Sequence, residues 1–224
     1  RLDAIYETVR LVKAELAPEK AFLGFAGSAW TVATYMVNGE GSKDQHATRA
    51  YAYRDPEGFQ VLIDAIVDLT ITYLIGQIDA GVDAVQIFDS WSGSLAPAQF
   101  ERWVIAPNAR IAAAIHEARP GIPVIGFPRG CGPLITDYVR ETGIQAVSLD
   151  TGLAASWARK EVQPLTCVQG NLDPLLLVAG GTGIAPLRSM LMDRLSRPSV
   201  PAIALLYSAR SPEEFAYRTE VDAM

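Results

Sequence analysis

Apolar positions along the chain follow two spacings, one typical of amphipathic helices and one typical of buried strands. Residues 2–17 place apolar side chains three or four positions apart with charges between them, which predicts a helix. Residues 56–80 and 97–118 show the same spacing, and Pro107 is expected to break the second of these helices. Short apolar runs without charges separate the helical segments and predict buried strands. These runs lie near 22–26, 84–88, 123–127, 146–149 and 165–168.

The alternation of strands and helices indicates the fold class. Such βα units pair their strands in parallel with right-handed crossovers, which leaves either an open doubly wound sheet or a (β/α)₈ barrel, both of them α/β folds. In both architectures ligands bind at the carboxyl ends of the strands. Polar residues follow the predicted strands here, among them Ser28, Ser90 and Asp150, so chemistry is expected at that edge.

Composition and charge exclude several classes of protein. The 224 residues are 50% hydrophobic, which is enough for one large folded domain or two small ones and too apolar for a disordered chain. The formal net charge of −6 makes a nucleic-acid or anionic-membrane surface unexpected, because such surfaces need clustered Lys and Arg. No signal-peptide pattern and no apolar run of about 20 residues are seen, so a soluble, cytoplasmic protein is predicted. Since the sequence begins with Arg1 inside the first predicted helix, the natural N-terminus is expected to be missing.

Five segments carry a family resemblance: GFAGSAWTVATYMV at 24–37, GSKD at 41–44, QIFDSWSG at 86–93, GIQAVSLD at 143–150 and QGNLDP at 169–174. In order and spacing they resemble the uroporphyrinogen decarboxylase family, over residues 1 to about 180. The resemblance implies a (β/α)₈ barrel, here incomplete, that is usually a homodimer and needs no metal or organic cofactor. It also implies a lyase that decarboxylates the acetate side chains of uroporphyrinogen III, a small-molecule substrate, to give coproporphyrinogen III.

The resemblance assigns a substrate site to three residues. Tyr35 matches a tyrosine that hydrogen-bonds near the reacting acetate, Ser90 matches a carboxylate-binding serine, and Phe25 matches an aromatic of the pocket wall. Residue statistics alone give other interpretations, since Tyr35 and Phe25 could be core aromatics and Ser90 could cap a helix. The family's pyrrole-facing aspartate, its carboxylate-binding arginines and a histidine of the closing strand belong to segments that this chain is expected to lack. Half of a site is therefore expected.

A zinc site and a basic ligand site are alternative interpretations of other polar residues. More distantly similar methyltransferases bind zinc through a His-x-Cys pair, but Arg129 stands two positions before Cys131 here, so no metal is expected. Cys131 and Cys167 lack a CxxC spacing and are predicted to be small buried apolar residues of a reducing compartment. Three cations and both histidines are predicted to be surface residues. They are Lys43, Arg49, Arg54, His46 and His116.

A second resemblance begins near residue 175. The segments LLLVAGGTGIAPLRS at 175–189 and AIALLYSAR at 202–210 are similar to the NADP-binding domain of ferredoxin–NADP reductase-like oxidoreductases. This pattern predicts a strand, a glycine turn and a helix N-terminus that approaches a pyrophosphate. The predicted organisation is a partial barrel at 1–177 followed by a βαβ tail at 178–224. The candidate cofactor-binding residues of the tail are Gly180, Gly181, Thr182, Gly183, Ser208 and Arg210.

Three functions therefore remain open. The chain is part of a decarboxylase, or part of an NAD(P)-binding flavoprotein oxidoreductase, or an inactive chimeric fragment that joins pieces of both. Porphyrinogen binding would favour the first of these functions, and NADP binding would favour the second.

Overall fold

Two compact units make up the chain, Arg1–Asn171 and Leu172–Met224. The computed structural model describes residues 2–171, 176–180 and 204–208. In the first unit five parallel strands form one sheet, and their order in space is their order in the chain. This confirms the predicted α/β class and the predicted direction of the strands. Their bounds are β1 (Leu23–Gly27), β2 (Ala84–Asp89), β3 (Val124–Pro128), β4 (Ala146–Ser148) and β5 (Cys167–Gln169).

Helices connect the strands of the first unit. They are α1 (Asp3–Glu15), α2 (Ala29–Asn38), α3 (His46–Arg54), α4 (Pro56–Asp79), α5 (Pro97–Phe100), α6 (Ala106–Ala118), α7 (Ile135–Thr142) and α8 (Ala155–Glu161). Asp55 caps α4, since its side chain accepts a hydrogen bond from the Gly58 N–H at 2.8 Å. Gly39 ends α2 at a φ of 78°, a left-handed conformation that glycine adopts without strain.

The break predicted within 97–118 lies earlier than Pro107. That proline sits in the first turn of α6, where a helix does not need its missing N–H. The irregular segment before it is a π-helical turn, Glu101–Ile105, in which Trp103 is fully buried. The interruption therefore comes from the π turn, and the expectation that proline causes it is wrong.

The fifth strand begins two residues later than predicted. The N–H groups of Leu165 and Thr166 bond to the Val162 carbonyl in the turn that follows α8, which keeps them out of the sheet. β5 is last in the sheet order, and Cys167 at its start is exposed. The prediction that Cys167 is buried is therefore wrong, because among the described strands β5 has a neighbour in its sheet on one side only.

The sheet of the first unit has one covered and one open face. Along β2, Val85 and Ile87 are fully buried in the same core as the helix residues. On β1, Leu23 is 43% exposed and Phe25 is 61% exposed. Successive strand residues point to opposite faces, so this alternation shows that the helices cover one face of the described sheet.

Helix α4 supplies much of the core. Phe59 packs edge-to-face against Trp30 and Trp103, with ring centroids 5.8 Å and 4.9 Å away. Ile63 and Leu74 continue the same stripe and are fully buried. By length and composition alone α4 could cross a membrane, which corrects the expectation that no segment reaches that length. Only 39% of its apolar window is buried, and Val61 and Leu69 on this helix are exposed.

The outer edge of β1 is closed by a side chain of α4. Gln77 accepts a hydrogen bond from the Phe25 N–H and donates one to the Phe25 carbonyl, both at 3.1 Å. Gly24 leaves the room for this contact, because a Cβ there would lie 2.8 Å from Gln77 Oε1. Gln77 is 4% exposed. The pair of bonds satisfies backbone groups that would otherwise stay open at a strand edge, and it fixes the strand at Phe25.

The second unit contains two described strands. β6 (Leu176–Gly180) pairs in parallel with β7 (Ala204–Ser208), and Gly180 is opposite Ser208 in the register. The remaining candidates of the tail, Gly181, Thr182, Gly183 and Arg210, lie outside the described residues.

Candidate active site

The loops that follow β2 to β5 are joined at the carboxyl edge of the sheet. Gly93 donates its N–H to the Arg129 carbonyl at 3.2 Å, and the Gly130 N–H donates to Asp150 Oδ2 at 2.6 Å. The Asn171 amide donates to the Asp150 carbonyl at 3.2 Å. Only glycine fits at position 93, because a Cβ there would lie 2.5 Å from the Gly130 carbonyl oxygen. The four loops therefore form one connected surface.

An open cavity of about 430 Å³ lies near this edge, on the uncovered face of the sheet. Phe25 and Ser90 both line the cavity, together with Phe88 and Phe127. The rings of Phe25 and Phe88 lie 6.1 Å apart and are tilted by 48°. The exposure of Phe25 shows that its interpretation as a core residue is wrong. Apolar ring faces beside a hydroxyl suit a flat ligand that carries polar substituents.

Ser90 supplies the hydroxyl of this cavity. It follows the last residue of β2, and its N–H donates to the Thr31 hydroxyl at 2.9 Å. The short 3₁₀ turn that comes next, Ser92–Ser94, starts from Trp91 without a side-chain cap. The interpretation of Ser90 as a helix cap is therefore wrong. Within the part of the chain that the structure describes, its hydroxyl has no hydrogen-bond partner, which leaves it available to a ligand.

Tyr35 stands beside the cavity and does not line it. It lies on α2, one turn after Thr31, and 46% of the residue is exposed. Its ring centroid is 6.4 Å from that of Trp91, the residue that follows Ser90. The interpretation of Tyr35 as a core aromatic is therefore wrong. Tyr35 and Ser90 lie at the same rim of the sheet.

Asp89 is a buried acid directly before Ser90 that was not among the site residues predicted from the sequence. It is 1% exposed, and its Oδ1 accepts hydrogen bonds from the Thr31 hydroxyl at 2.7 Å and the Trp91 N–H at 3.2 Å. Burial raises the pKa of Asp89 to about 6, and the hydrogen bond from Thr31 offsets only part of that rise. A charged residue that ends an otherwise apolar strand was the available sequence signal.

A second group of buried polar residues, Ser28, Asn108 and Tyr138, joins the end of β1 to helices α6 and α7. Ser28 donates to Asn108 at 3.1 Å, and Asn108 donates to the Tyr138 hydroxyl at 3.1 Å. Burial raises the pKa of Cys131 to about 12, with a further rise from nearby Asp150, and burial also raises the pKa of Tyr138. Cys131 is 6% exposed, which confirms its predicted burial. Its thiol keeps its proton at neutral pH and is a poor metal ligand or nucleophile.

An exposed cation lies beside Ser90. The register pairs Pro128 with Asp89, so Arg129 comes next to Ser90, and its N–H donates to the Asp89 carbonyl at 3.0 Å. The Arg129 side chain is exposed and pairs with no carboxylate among residues 2–171. In the sequence Arg129 is notable only as a replacement for a zinc-binding histidine, because its closeness to Ser90 depends on the pairing of two distant strands.

The other predicted surface residues do not line this cavity. His116 is half-buried, with its Nε2 2.9 Å from Gln145 Oε1. The remaining four are exposed as predicted, namely Lys43, Arg49, Arg54 and His46.

Comparisons with known proteins fall into two parts along the chain. Residues 1–194 match the family model described as uroporphyrinogen decarboxylase (URO-D), and residues 177–224 match the one described as oxidoreductase NAD-binding domain. A uroporphyrinogen decarboxylase from Novosphingobium aromaticivorans is 62% identical over 181 residues, which are 81% of this chain and 53% of the relative. One from Erythrobacter litoralis is 57% identical over 201 residues, 89% of this chain and 59% of the relative.

The chain thus spans little more than half the length of these curated relatives. Among solved structures, a methyltransferase from Methanosarcina mazei aligns with a TM-score of 0.65 at 14% identity, covering 96% of this chain and 61% of its own. At that identity the likeness concerns the fold alone.

Proposed function

The chain belongs to the uroporphyrinogen decarboxylase family, and from this we propose that it is part of an enzyme that removes CO₂ from the acetate side chains of uroporphyrinogen III to give coproporphyrinogen III. The observation that carries the proposal is the open cavity near the carboxyl edge, which is lined by Ser90 and by the aromatic residues Phe25 and Phe88. A pyrrole with carboxylate side chains needs an apolar surface for its ring and a hydrogen-bond donor for its carboxylates.

The reaction requires a place for an electron pair. A proton first adds to the pyrrole ring, and loss of CO₂ then breaks the bond between the carboxyl carbon and the methylene group while the protonated ring accepts the electron pair. A proton adds to the methylene carbon in place of CO₂, and the ring releases its own proton to become an aromatic pyrrole again. In this proposal the ring lies against Phe25, while Ser90 and Tyr35 donate hydrogen bonds to substrate carboxylates. Arg129 adds a positive charge beside Ser90. Groups that are already oriented toward developing charge commonly give the largest catalytic effect.

The same proposal includes the architecture and the setting. The five strands are part of a (β/α)₈ barrel, and the helices on one face of the sheet support this, since an open doubly wound sheet carries helices on both faces. The complete enzyme is a cytoplasmic homodimer that works without a metal or organic cofactor.

Binding of uroporphyrin III, the stable oxidised form of the substrate, tests the site. Ser90→Ala should weaken binding about tenfold, because a hydrogen bond to a charged carboxylate is lost. Tyr35→Phe should also weaken binding. Ser156→Ala on α8 and Tyr53→Phe on α3 remove exposed hydroxyls elsewhere and should bind as the parent does. An equal loss in the site variants and in these controls would contradict the proposal, as would a parent chain that binds no uroporphyrin.

A second candidate function concerns the tail. We propose that residues 177–224 contribute to NADP binding, supported by their match to the NAD-binding family and by the parallel pair that brings Gly180 opposite Ser208. Retention of the chain on immobilised NADP, with release by free NADP, is the expected result. If the tail does not bind NADP, the chain passes through the column, and the inactive-chimera interpretation of the tail stands.

A further inference from the structure

Thr31 connects the two elements that carry the candidate site. It lies on α2, one turn before Tyr35, and is 2% exposed. Its hydroxyl donates to Asp89 Oδ1 at 2.7 Å and accepts from the Ser90 N–H at 2.9 Å. One hydroxyl therefore holds the start of α2 against the end of β2. Tyr35 is carried by that helix, and Ser90 follows that strand.

Asp89 completes the connection from the strand side. The Oδ1 that receives the Thr31 hydroxyl also accepts from the Trp91 N–H, and Trp91 packs against the Tyr35 ring. The second carboxyl oxygen, Oδ2, is buried and has no hydrogen-bond partner within the described part of the chain. Burying such an oxygen costs free energy, so a merely structural acid at this place would be a poor choice.

We propose that Thr31 and Asp89 are positioning residues that set the distance and orientation between Ser90 and Tyr35 for a substrate carboxylate. The inference rests on the proposed carboxylate-binding role of Ser90 and Tyr35. Loss of the Thr31 hydroxyl leaves the Ser90 N–H without its partner, so that the packing of Trp91 on Tyr35 remains as a contact between the loop at 90–92 and α2. Hydrogen bonds depend steeply on geometry, so a small shift of Ser90 weakens its bond to the ligand.

Three variants of Thr31 separate this role from simple packing. Thr31→Val removes the hydroxyl and keeps the branched shape, whereas Thr31→Ser keeps the hydroxyl and loses the methyl group. Thr31→Ala is a second variant without the hydroxyl and serves if the valine variant does not fold. All three are made in the whole chain.

The rate of amide hydrogen exchange at Ser90, measured by NMR, reports the hydrogen bond between the Ser90 N–H and the Thr31 hydroxyl, and the measurement needs no ligand. In Thr31→Val we expect exchange at Ser90 to quicken about fivefold or more, the equivalent of one hydrogen bond. The Val85 N–H, which bonds to the Pro123 carbonyl at 3.0 Å, should keep its protection. Thr31→Ser should restore the parent rate at Ser90. Equal exchange at Ser90 in the parent and the valine variant would overturn the proposal.

Uroporphyrin III binding then tests whether the connection matters to the ligand. We expect Thr31→Val to bind about tenfold more weakly and Thr31→Ser to bind as the parent does. If the valine variant loses protection at Ser90 yet binds as tightly as the parent, the positioning role is wrong and the connection is structural only. If the parent itself binds no uroporphyrin, the proposed function fails, and with it the positioning role. The exchange result still shows, in that case, whether Thr31 holds Ser90.

Discussion

An Asp89→Asn variant is expected to lose the pH dependence that this buried carboxyl gives to folding stability. Burial raises the pKa of Asp89 from its ordinary value of 3.8 to about 6, so the folded chain holds this proton more tightly than the unfolded chain does. The stabilisation by the bound proton is therefore complete below the ordinary pKa and is lost as the pH rises through about 6. Asparagine does not titrate and gives no such loss.

The size of the effect follows from the shift in pKa. A rise of about two units corresponds to about 3 kcal/mol over the full range of pH. Between about pH 4.5 and about pH 7.5, the parent should lose about 2 kcal/mol of unfolding free energy relative to the variant. Cys131 and Tyr138, the titratable groups that share this buried region, keep their protons over that range because burial raises both of their pKa values.

Urea unfolding followed by tryptophan fluorescence is a suitable assay. All four tryptophans lie in the first unit, so the signal reports the unfolding of residues 1–171. Asp83→Asn is the matched control, because the hydrogen bond from Lys13 lowers the pKa of Asp83. A lowered pKa gives stability that is present above the ordinary pKa of 3.8 and is lost only on acidification below it. The difference between the parent and the control should therefore stay nearly constant between about pH 4.5 and about pH 7.5.

Two results would refute this reasoning. One is a difference between the parent and Asp89→Asn that is the same at both pH values. The other is a parent that gains stability relative to the variant as the pH rises, since that would mean a carboxyl stabilised in its charged form.

Three further results are expected. Of the two cysteines, exposed Cys167 should react quickly with a thiol reagent at neutral pH, and buried Cys131 should react only after unfolding. Two fast-reacting thiols in the native chain, or fast labelling that persists in Cys167→Ser, would contradict the structure. Gln77→Ala should lower the free energy of unfolding, measured in urea, by about 1–3 kcal/mol, because both hydrogen bonds to the Phe25 backbone are lost. An effect no larger than that of Gln60→Ala on the same helix would contradict the role of Gln77 at the β1 edge. Arg129→Gln should weaken uroporphyrin III binding about fivefold and make the binding less dependent on salt, whereas Arg159→Gln, at an exposed position of α8, should change neither. Equal effects of the two substitutions would show that Arg129 lies outside the site.

Local patterns were enough to predict the framework of the first unit. The apolar runs and the helices between them predicted five parallel strands, because a buried parallel strand needs an uncharged run and its connection to the next strand needs a helix. The predicted start of the fifth strand was wrong, since Leu165 and Thr166 are apolar or β-branched but their N–H groups bond to the Val162 carbonyl in a turn. The helix break was predicted at Pro107 but lies at the π-helical turn before it, because no local sequence pattern marks such a turn.

The contacts that complete the candidate site join residues that are distant in sequence. Thr31 and Asp89 meet only because β1 and β2 are neighbours, and the Arg129 backbone lies next to Ser90 only because of the register of β2 and β3. Phe25 resembles a core aromatic by type, but the sheet leaves its face open. Family resemblance selected Tyr35, Ser90 and Phe25, and composition alone would have placed Tyr35 and Phe25 in the core.

The central claim is that the carboxyl edge of the first unit binds a porphyrinogen through its carboxylates. Mapping of backbone amide shifts by NMR during a titration with uroporphyrin III tests this claim most directly. The account predicts saturable shifts at residues 25–27 and 88–92, with Ser90 among the largest, and no shift of these amides on addition of NADP. Shifts confined to other regions, or none at ligand concentrations that saturate a weak site, would contradict it.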